Sequence, residues 1–123
     1  MSAARQALGL AGERVAARWL RRGGWRVLAH RFRCGRRDID LVAERAGVVA
    51  FVEVKTRRGD RFGDPVHAVD WRKQRQIARC AASWLDRRGK PGTAYQFDVV
   101  GVLFTPRGVR VRHVQQAFQI ADA

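Results

Sequence analysis

The most constraining feature of the sequence is a pair of β-strand patterns separated by a short turn. Residues Arg37–Glu44 (RDIDLVAE) and Val48–Thr56 (VVAFVEVKT) are rich in β-branched and apolar side chains, and Arg45–Gly47 between them carries a turn glycine. The second strand is an almost unbroken apolar run, which is typical of a strand buried on both faces. A chain with this hairpin must build a sheet around it, so an all-helical fold is excluded.

Flanking segments extend the hairpin into an α/β domain. Apolar residues at helical spacing predict a first helix over Ala3–Arg22 and a second from Pro65 to about Arg88, with Asp64 as its N-cap. We therefore expect one domain over residues 1–123, a mixed central sheet in the order α-βββ-α-ββ with flanking helices. The remaining strands are expected at Trp25–Arg33, Tyr95–Phe104 and Val109–Val114.

Charge narrows the choice of partner. The chain has 25 basic residues against 11 acidic ones, a net charge of +14, and lysine occurs only at Lys55, Lys73 and Lys90. The planar, permanently charged guanidinium of arginine suits phosphate contacts. A GC-rich genome would explain arginine in place of lysine, but not the excess of positive charge. We predict nucleic acid as the partner, ahead of an anionic membrane surface or a role in solubility.

The sequence also bears on location. No apolar run approaches the roughly 20 residues that span a bilayer, and the amphipathic first segment lacks a signal-peptide pattern. We expect a cytoplasmic protein without membrane association. Cys34 and Cys80 have no paired spacing, so they are interpreted as reduced thiols rather than a disulfide.

Charged side chains interrupt both strands of the hairpin where a core strand normally carries apolar ones. Because residues two apart in a strand share a face, Asp38 and Asp40 are expected to point together, as are Glu53 and Lys55. If the two strands are neighbours, these four side chains converge on one patch. The apolar residues expected on the opposite faces are Ile39, Leu41, Val52 and Val54.

Three carboxylates on one buried patch would repel one another without a positive partner. A hard divalent cation bound through carboxylate oxygens, Mg²⁺ or Mn²⁺, fits this patch, and arginines paired along an exposed face are the alternative. Lys55 lies two residues after Glu53, where an ammonium group can orient an attacking water or neutralise a phosphate. The pattern predicts metal-dependent phosphodiester hydrolysis.

Two residues on the helices are further candidates for this site. Lys73 falls within the apolar stripe of the second helix, so it either extends to the surface or reaches the acidic patch or a bound phosphate. Glu13 borders the stripe of the first helix, and either adds a carboxylate or pairs with a surface arginine. The stripes are expected to contain Leu8, Ala11, Val15, Trp19 and Leu20 in the first helix, and Val66, Val69, Ile77, Cys80, Ala81 and Trp84 in the second.

Arginines flank the acidic strands on both sides. We predict that they hold backbone phosphates beside the site, and that Phe62 in the following loop either stacks on a base or anchors the loop. Asp98 is expected to pair with an arginine or to reach the site, and His113 to be a surface or capping group. The predicted nucleic-acid-binding residues are Arg36, Arg37, Arg57, Arg58, Arg61 and Lys73.

A known family carries the same motifs in the same order. Between about Gly12 and Val102 the chain resembles the YraN-like family of uncharacterised bacterial proteins in the segments GERVAARWL, RDIDLV, FVEVKTR, FGDPVHAVDWRKQRQI and FDVVGV. That family is similar to archaeal Holliday-junction resolvases, and the resemblance implies the restriction-endonuclease-like fold of PD-(D/E)xK nucleases. It implies a first-helix acid, a central metal-binding aspartate, a (D/E)xK pair and a basic helix position at Glu13, Asp40, Glu53 with Lys55, and Lys73.

The chain departs from the family pattern at two places. The family usually has Gly-Glu-Ile-Asp-Leu where this chain has Arg37–Leu41, so Asp38 is a shortened acid and the glycine is absent. Ile39 takes the place of the proline in the PD motif. Neither change removes the Asp40, Glu53 and Lys55 trio.

Three functions are consistent with these patterns. The first is a metal-dependent DNA endonuclease, with branched DNA as a candidate substrate and a homodimer as the unit that would cut a junction symmetrically. The second is a non-catalytic nucleic-acid-binding protein on a nuclease scaffold. The third is a protein-interaction module whose basic face docks an acidic partner.

Overall fold

A computed structural model describes residues 2–61 and 63–120 of the chain, apart from the side chain of Val66. The observed order of elements confirms the predicted α-βββ-α-ββ arrangement. Phe62 lies outside the described residues. The elements are α1 (Ala3–Arg22), β1 (Arg26–Cys34), β2 (Arg37–Arg45), β3 (Val48–Arg58), α2 (Trp71–Arg88), β4 (Ala94–Thr105) and β5 (Gly108–Phe118).

The strands form one five-stranded mixed sheet in the order β1-β2-β3-β4-β5. Only β3 and β4 are parallel, and the chain passes between them through α2, whereas the other neighbours are antiparallel. Parallel strands require a long crossover, which α2 supplies. β3 is therefore the central strand, as its apolar run predicted.

The two helices cover opposite faces of this sheet, each over its own hydrophobic core. Cys80 lies in the core beneath α2, and both cysteines are free thiols. The core beneath α1 includes Ala16, Ala17, Leu20, Trp25, Leu41 and Val52, and that beneath α2 includes Ile39, Val42, Phe51, Ile77, Ala81 and Trp84. Both cores meet at β3, because its alternate side chains enter one or the other.

The second helix begins later than the sequence predicted. It starts at Trp71, and the Asp70 carboxylate accepts a hydrogen bond from the Lys73 backbone N–H at 2.9 Å. The prediction of a helix from Pro65 capped by Asp64 was therefore wrong: Pro65–Ala68 form only a single 3₁₀ turn. The extended backbone of Asp70 interrupts the helical path between the two segments.

The first helix approaches the sheet through small residues. A Cβ atom on Gly12 would lie 2.8 Å from the Cβ of Thr56 in β3, so only glycine permits this contact. The predicted apolar stripe was wrong at Trp19, whose side chain is 44% exposed. The helix is too close to the sheet for an indole there, and it buries Gly12, Ala16, Ala17 and Leu20 instead.

Neither helix in the described part of the chain combines the length and the apolar character needed to cross a membrane.

Candidate metal and nucleic-acid site

The site begins where β2 separates from β3. The register of these strands runs only as far as Leu41, which pairs with Val52. Just before that pair, Asp40 Oδ2 accepts a hydrogen bond from the backbone N–H of Val54 at 2.8 Å. The Asp40 side chain thus satisfies a backbone donor that a longer β2 would have paired, and this bond fixes the carboxylate at the edge of the pairing.

The alternation of side chains between the two faces of β2 breaks at Asp40. Ile39 is buried in the core beneath α2, whereas Leu41 is buried beneath α1. The prediction that these two residues share a face was therefore wrong. In β1, Arg31 lies between the partners of Ile39 and Leu41 and has a φ of 50°. This left-handed conformation marks a local irregularity in the ladder beside Asp40.

Glu53 contributes the second carboxylate from the central strand. Its side chain is only 4% exposed, and Lys73 Nζ, reaching over from α2, lies 3.4 Å from Glu53 Oε2. That distance is an ion-pair contact without hydrogen-bond alignment, because Oε2 has no hydrogen-bond partner among the described residues. The prediction that Lys73 reaches the acidic patch is confirmed, and one buried carboxylate oxygen is left without a donor.

The two carboxyl groups lie within hydrogen-bonding reach of each other. Burial, the hydrogen bond with Glu53 and the charge of Glu53 together raise the pKa of Asp40 from 3.8 to about 9. The bond from Val54 opposes the rise, and the charge of Asp38 adds to it. Two carboxylates held this closely need either a shared proton or a cation between them.

Glu13 and Asp38 lie around this pair. Burial and the charge of Asp40 raise the pKa of Glu13, and the hydrogen bond and charge of Arg31 oppose that rise. Arg31 Nε lies 3.4 Å from Glu13 Oε1, so Glu13 both borders the acidic patch and pairs with an arginine. Asp38 is half-buried and acts on Asp40 and Glu13 through its charge alone.

A cation could be held at the Asp40–Glu53 pair but not by a closed protein cage. Across residues 2–61 and 63–120, no group of three or more His, Cys, Asp or Glu side chains has an arrangement that would hold a metal ion. Mg²⁺ is commonly bound by one or two carboxylates, with waters and substrate phosphates completing its coordination. The unpaired Glu53 Oε2 beside Asp40 therefore fits a partly hydrated Mg²⁺ or Mn²⁺ ion.

Lys55 follows Glu53 by two residues on β3 and therefore lies on the same face of the strand. It is half-buried and lines a narrow cleft with Arg57, Asp64 and Gly101. None of the ion pairs between described residues joins it to either carboxylate of the pair. Lys55 therefore lies at the rim of the site, without a direct ion pair to Asp40 or Glu53 among the described residues.

The arginines predicted to bind phosphate flank the residues of the acidic patch in the sequence. They lie in the turn between β1 and β2, at the start of β2, at the end of β3 and in the loop after β3, and all are exposed. Exposed arginines near a strongly basic surface favour long-range attraction of a polyanion. These residues are Arg36, Arg37, Arg57, Arg58 and Arg61.

Sequence reasoning missed one buried polar cluster. Asp98 on β4 is fully buried and accepts hydrogen bonds from His113 Nε2 at 2.7 Å, from Gln96 Nε2 at 3.0 Å and from the Gln116 backbone N–H at 3.1 Å. The expectation of an arginine partner was wrong, because Asp98 pairs with His113, and only 9% of the His113 side chain is exposed, so the expectation of a surface position was wrong as well. The only sequence signal was an acid in an otherwise apolar strand.

Comparison with known proteins agrees with the motifs. The profile of the uncharacterised protein family UPF0102 matches residues 12–102. A UPF0102 protein of Nocardia farcinica is 48% identical over 102 residues, covering 83% of this chain and 80% of the relative. A UPF0102 protein of Symbiobacterium thermophilum is 48% identical over 114 residues, covering 90% of this chain and 95% of the relative. A UPF0102 protein of Geobacter metallireducens is 36% identical over 121 residues, covering 98% of this chain and 99% of the relative. The chain belongs to the uncharacterised protein family UPF0102.

Proposed function

We propose that this protein is a metal-dependent endonuclease that hydrolyses phosphodiester bonds in DNA, including branched DNA. The observation that carries the proposal is the Asp40–Glu53 carboxylate pair, in which the buried Glu53 Oε2 has no hydrogen-bond donor among the described residues. A pair of this kind costs folding free energy unless a cation or proton neutralises it. Titratable groups that lower the stability of the metal-free protein in this way are typical of functional sites.

The proposal assigns a role to each side chain of the site. Asp40 and Glu53 hold the divalent cation, Mg²⁺ or Mn²⁺, which supplies Lewis-acid activation of water and charge neutralisation at the phosphate. The bond from Val54 keeps Asp40 in place. Lys73 lies 3.4 Å from Glu53, where it offsets the negative charge of the pair and contacts substrate. Lys55 at the rim orients the attacking water or neutralises the phosphate.

DNA is the proposed binding partner, and a homodimer is the proposed oligomeric state. The net charge of +14 and the exposed arginines around the patch support DNA binding through phosphate contacts. Symmetrical cutting of a junction requires two active sites, so the proposal includes a homodimer. The protein would act in the cytoplasm, where bacterial DNA lies.

A second candidate is a non-catalytic nucleic-acid-binding protein. The observation that favours it is the Lys73–Glu53 contact, because an ammonium group already supplies positive charge to the pair. Under this alternative the carboxylates are structural, and DNA binding survives replacement of Asp40 by alanine or tightens as a negative charge is removed.

Cleavage assays distinguish the two candidates. The protein is incubated with supercoiled plasmid and with an end-labelled four-way junction, in Mg²⁺, in Mn²⁺ and in EDTA. We expect nicking that requires the metal, and we expect Lys55→Ala to lower the cleavage rate by about 100-fold, because one positioned electrostatic group is lost at the phosphate. Lys90→Ala is the matched control, since Lys90 is exposed in the loop before β4.

A metal-dependent rate that Lys90→Ala retains and Lys55→Ala loses would establish the role of Lys55. Salt-sensitive DNA binding with no cleavage in either metal would favour the binding protein. Equal cleavage by both lysine variants would contradict the role given to Lys55.

A further inference from the structure

A second pocket lies on the α1 side of the sheet, away from the carboxylate pair. It has a volume of about 330 Å³ and opens where α1 ends and β2 turns into β3. Arg45 in its wall follows Asp40 by five residues along β2, which corresponds to roughly 17 Å. The main lining residues are Trp19, Arg22, Trp25, Arg45, His113 and Gln115.

The chemistry of this lining selects an anionic, aromatic ligand. Two indoles and two guanidinium groups face the pocket, and none of the described lining residues is acidic. Trp19 lines the pocket and is 44% exposed, whereas the residues that α1 buries are Leu20 and small residues. An exposed indole beside arginines offers a stacking surface for a base next to donors for its phosphate.

Arg45 is held in place before any ligand arrives. Its guanidinium carbon lies 4.4 Å from the centre of the Trp25 ring. Its Nη1 donates to the Gly23 carbonyl at 2.9 Å, and its Nη2 lies 3.5 Å from Gln115 Oε1. A guanidinium has five N–H donors, so donors remain for a phosphate. A fixed arginine binds an anion at a lower entropic cost than a mobile one.

The buried Asp98 cluster fixes the opposite wall. His113 Nε2 lies 2.7 Å from Asp98 Oδ2, and the His113 ring meets Trp25 edge-on at 6.4 Å between ring centres. Asp98 therefore sets the orientation of the imidazole, and Nδ1 has no partner among the described residues. This arrangement places an oriented imidazole in the lining of the pocket.

We propose that this pocket binds one unpaired nucleotide, with its base stacked on Trp19 and its phosphate held by Arg22 and Arg45. The occupant is a nucleotide of single-stranded DNA or a free nucleoside monophosphate, which share this chemistry. Duplex DNA is disfavoured because its bases are stacked on one another and cannot reach Trp19. The proposal does not depend on cleavage at the Asp40–Glu53 pair, since it concerns binding alone.

Fluorescence anisotropy in EDTA tests the proposal without cleavage. The probes are a fluorescein-labelled single-stranded oligothymidylate and a labelled hairpin duplex of similar charge. We expect Trp19→Ala to weaken single-strand binding by about tenfold and duplex binding by about twofold at most, because stacking is lost only with the unpaired base. Trp19→Phe should retain most of the affinity, since it keeps an aromatic face.

Charge-matched arginine variants separate pocket binding from general attraction. Arg22 lines the pocket and its neighbour Arg21 does not, and both are exposed at the end of α1. Arg22→Ala should weaken single-strand binding by about threefold more than Arg21→Ala. Competition by thymidine monophosphate would support free nucleotides as ligands. Failure to compete, with the Trp19 effect intact, would support recognition within a chain only.

The structural alternative is that Trp25 and Arg45 merely close the core, with no ligand. Single-strand affinities that are the same for Trp19→Ala, Arg22→Ala and Arg21→Ala, in variants with wild-type melting temperatures, would overturn the proposal. Trp19 and Arg22 are exposed, so their replacement leaves the core beneath α1 unchanged.

Discussion

Replacement of Asp40 by asparagine is expected to stabilise the metal-free protein and to lower DNA cleavage by at least about 100-fold. The asparagine Oδ1 can keep the hydrogen bond from Val54, and its amide can donate to Glu53, so the contact no longer requires a proton retained on Asp40. We expect the free energy of unfolding to rise by about 1–3 kcal/mol at neutral pH. Urea denaturation and the plasmid assay measure the two effects.

The gain in stability should depend on pH in a defined direction. The pKa of Asp40 is raised from 3.8 to about 9, so the folded protein retains a proton that the unfolded chain has released. Between these values each increase in pH favours the unfolded state, and the destabilisation is complete above about pH 9. The advantage of Asp40→Asn over the wild type should therefore be larger at about pH 8 than at about pH 5.

The control is Asp86→Asn, which removes an exposed carboxylate near the end of α2. It should change neither cleavage nor the pH profile of stability. If Asp40→Asn proved less stable than the wild type across this pH range, the contact between Asp40 and Glu53 would not be a source of instability in the metal-free protein. Retained cleavage would exclude Asp40 as a metal ligand.

The largest loss of stability is expected for Asp98→Ala. The substitution removes the acceptor of three hydrogen bonds in a fully buried position, so His113 Nε2 and the Gln116 backbone N–H lose their acceptor, while Gln96 Nε2 keeps only its 3.3 Å bond to Gln115 Oε1. Stranding buried polar groups in this way costs about 3–5 kcal/mol. Urea denaturation of the metal-free protein measures the change. Asp98→Asn should lose less, because one acceptor oxygen remains.

Asp60→Ala is the control for this prediction, since Asp60 is exposed after β3 and should change stability by about 0.5 kcal/mol or less. An Asp98→Ala protein as stable as Asp60→Ala would show that the cluster contributes little to folding. Loss of single-strand binding in a folded Asp98→Asn protein would further link the cluster to the second pocket.

The architecture could be predicted because local patterns and the sheet agree. Alternation and turn residues identified the hairpin of β2 and β3, and the apolar run of β3 identified the central strand. The start of α2 was missed because Asp64 and Asp70 are both plausible caps, and only the path of the chain over the sheet selects Asp70. Trp19 was misplaced because helical spacing does not reveal how closely a helix approaches the sheet.

The sequence predicted which residues form the site better than it predicted their arrangement in space. Asp40, Glu53 and Lys73 come together as the spacing suggested, because β2, β3 and α2 are neighbours. The break in alternation at Asp40 could not be foreseen, since it depends on the ladder with β1 around Arg31. The Asp98–His113 contact joins residues of two strands whose register the sequence does not specify.

Diffraction from a crystal soaked in MnCl₂ at neutral to mildly alkaline pH tests the central idea most directly. The manganese ion scatters anomalously, so its position is measured independently of any activity. We predict one strong anomalous peak in contact with carboxylate oxygens of both Asp40 and Glu53, and its loss in Asp40→Asn. A Glu53 carboxylate that stays ion-paired to Lys73, with no peak beside it or Asp40 at a Mn²⁺ concentration that saturates other sites in the crystal, would contradict the metal-dependent nuclease.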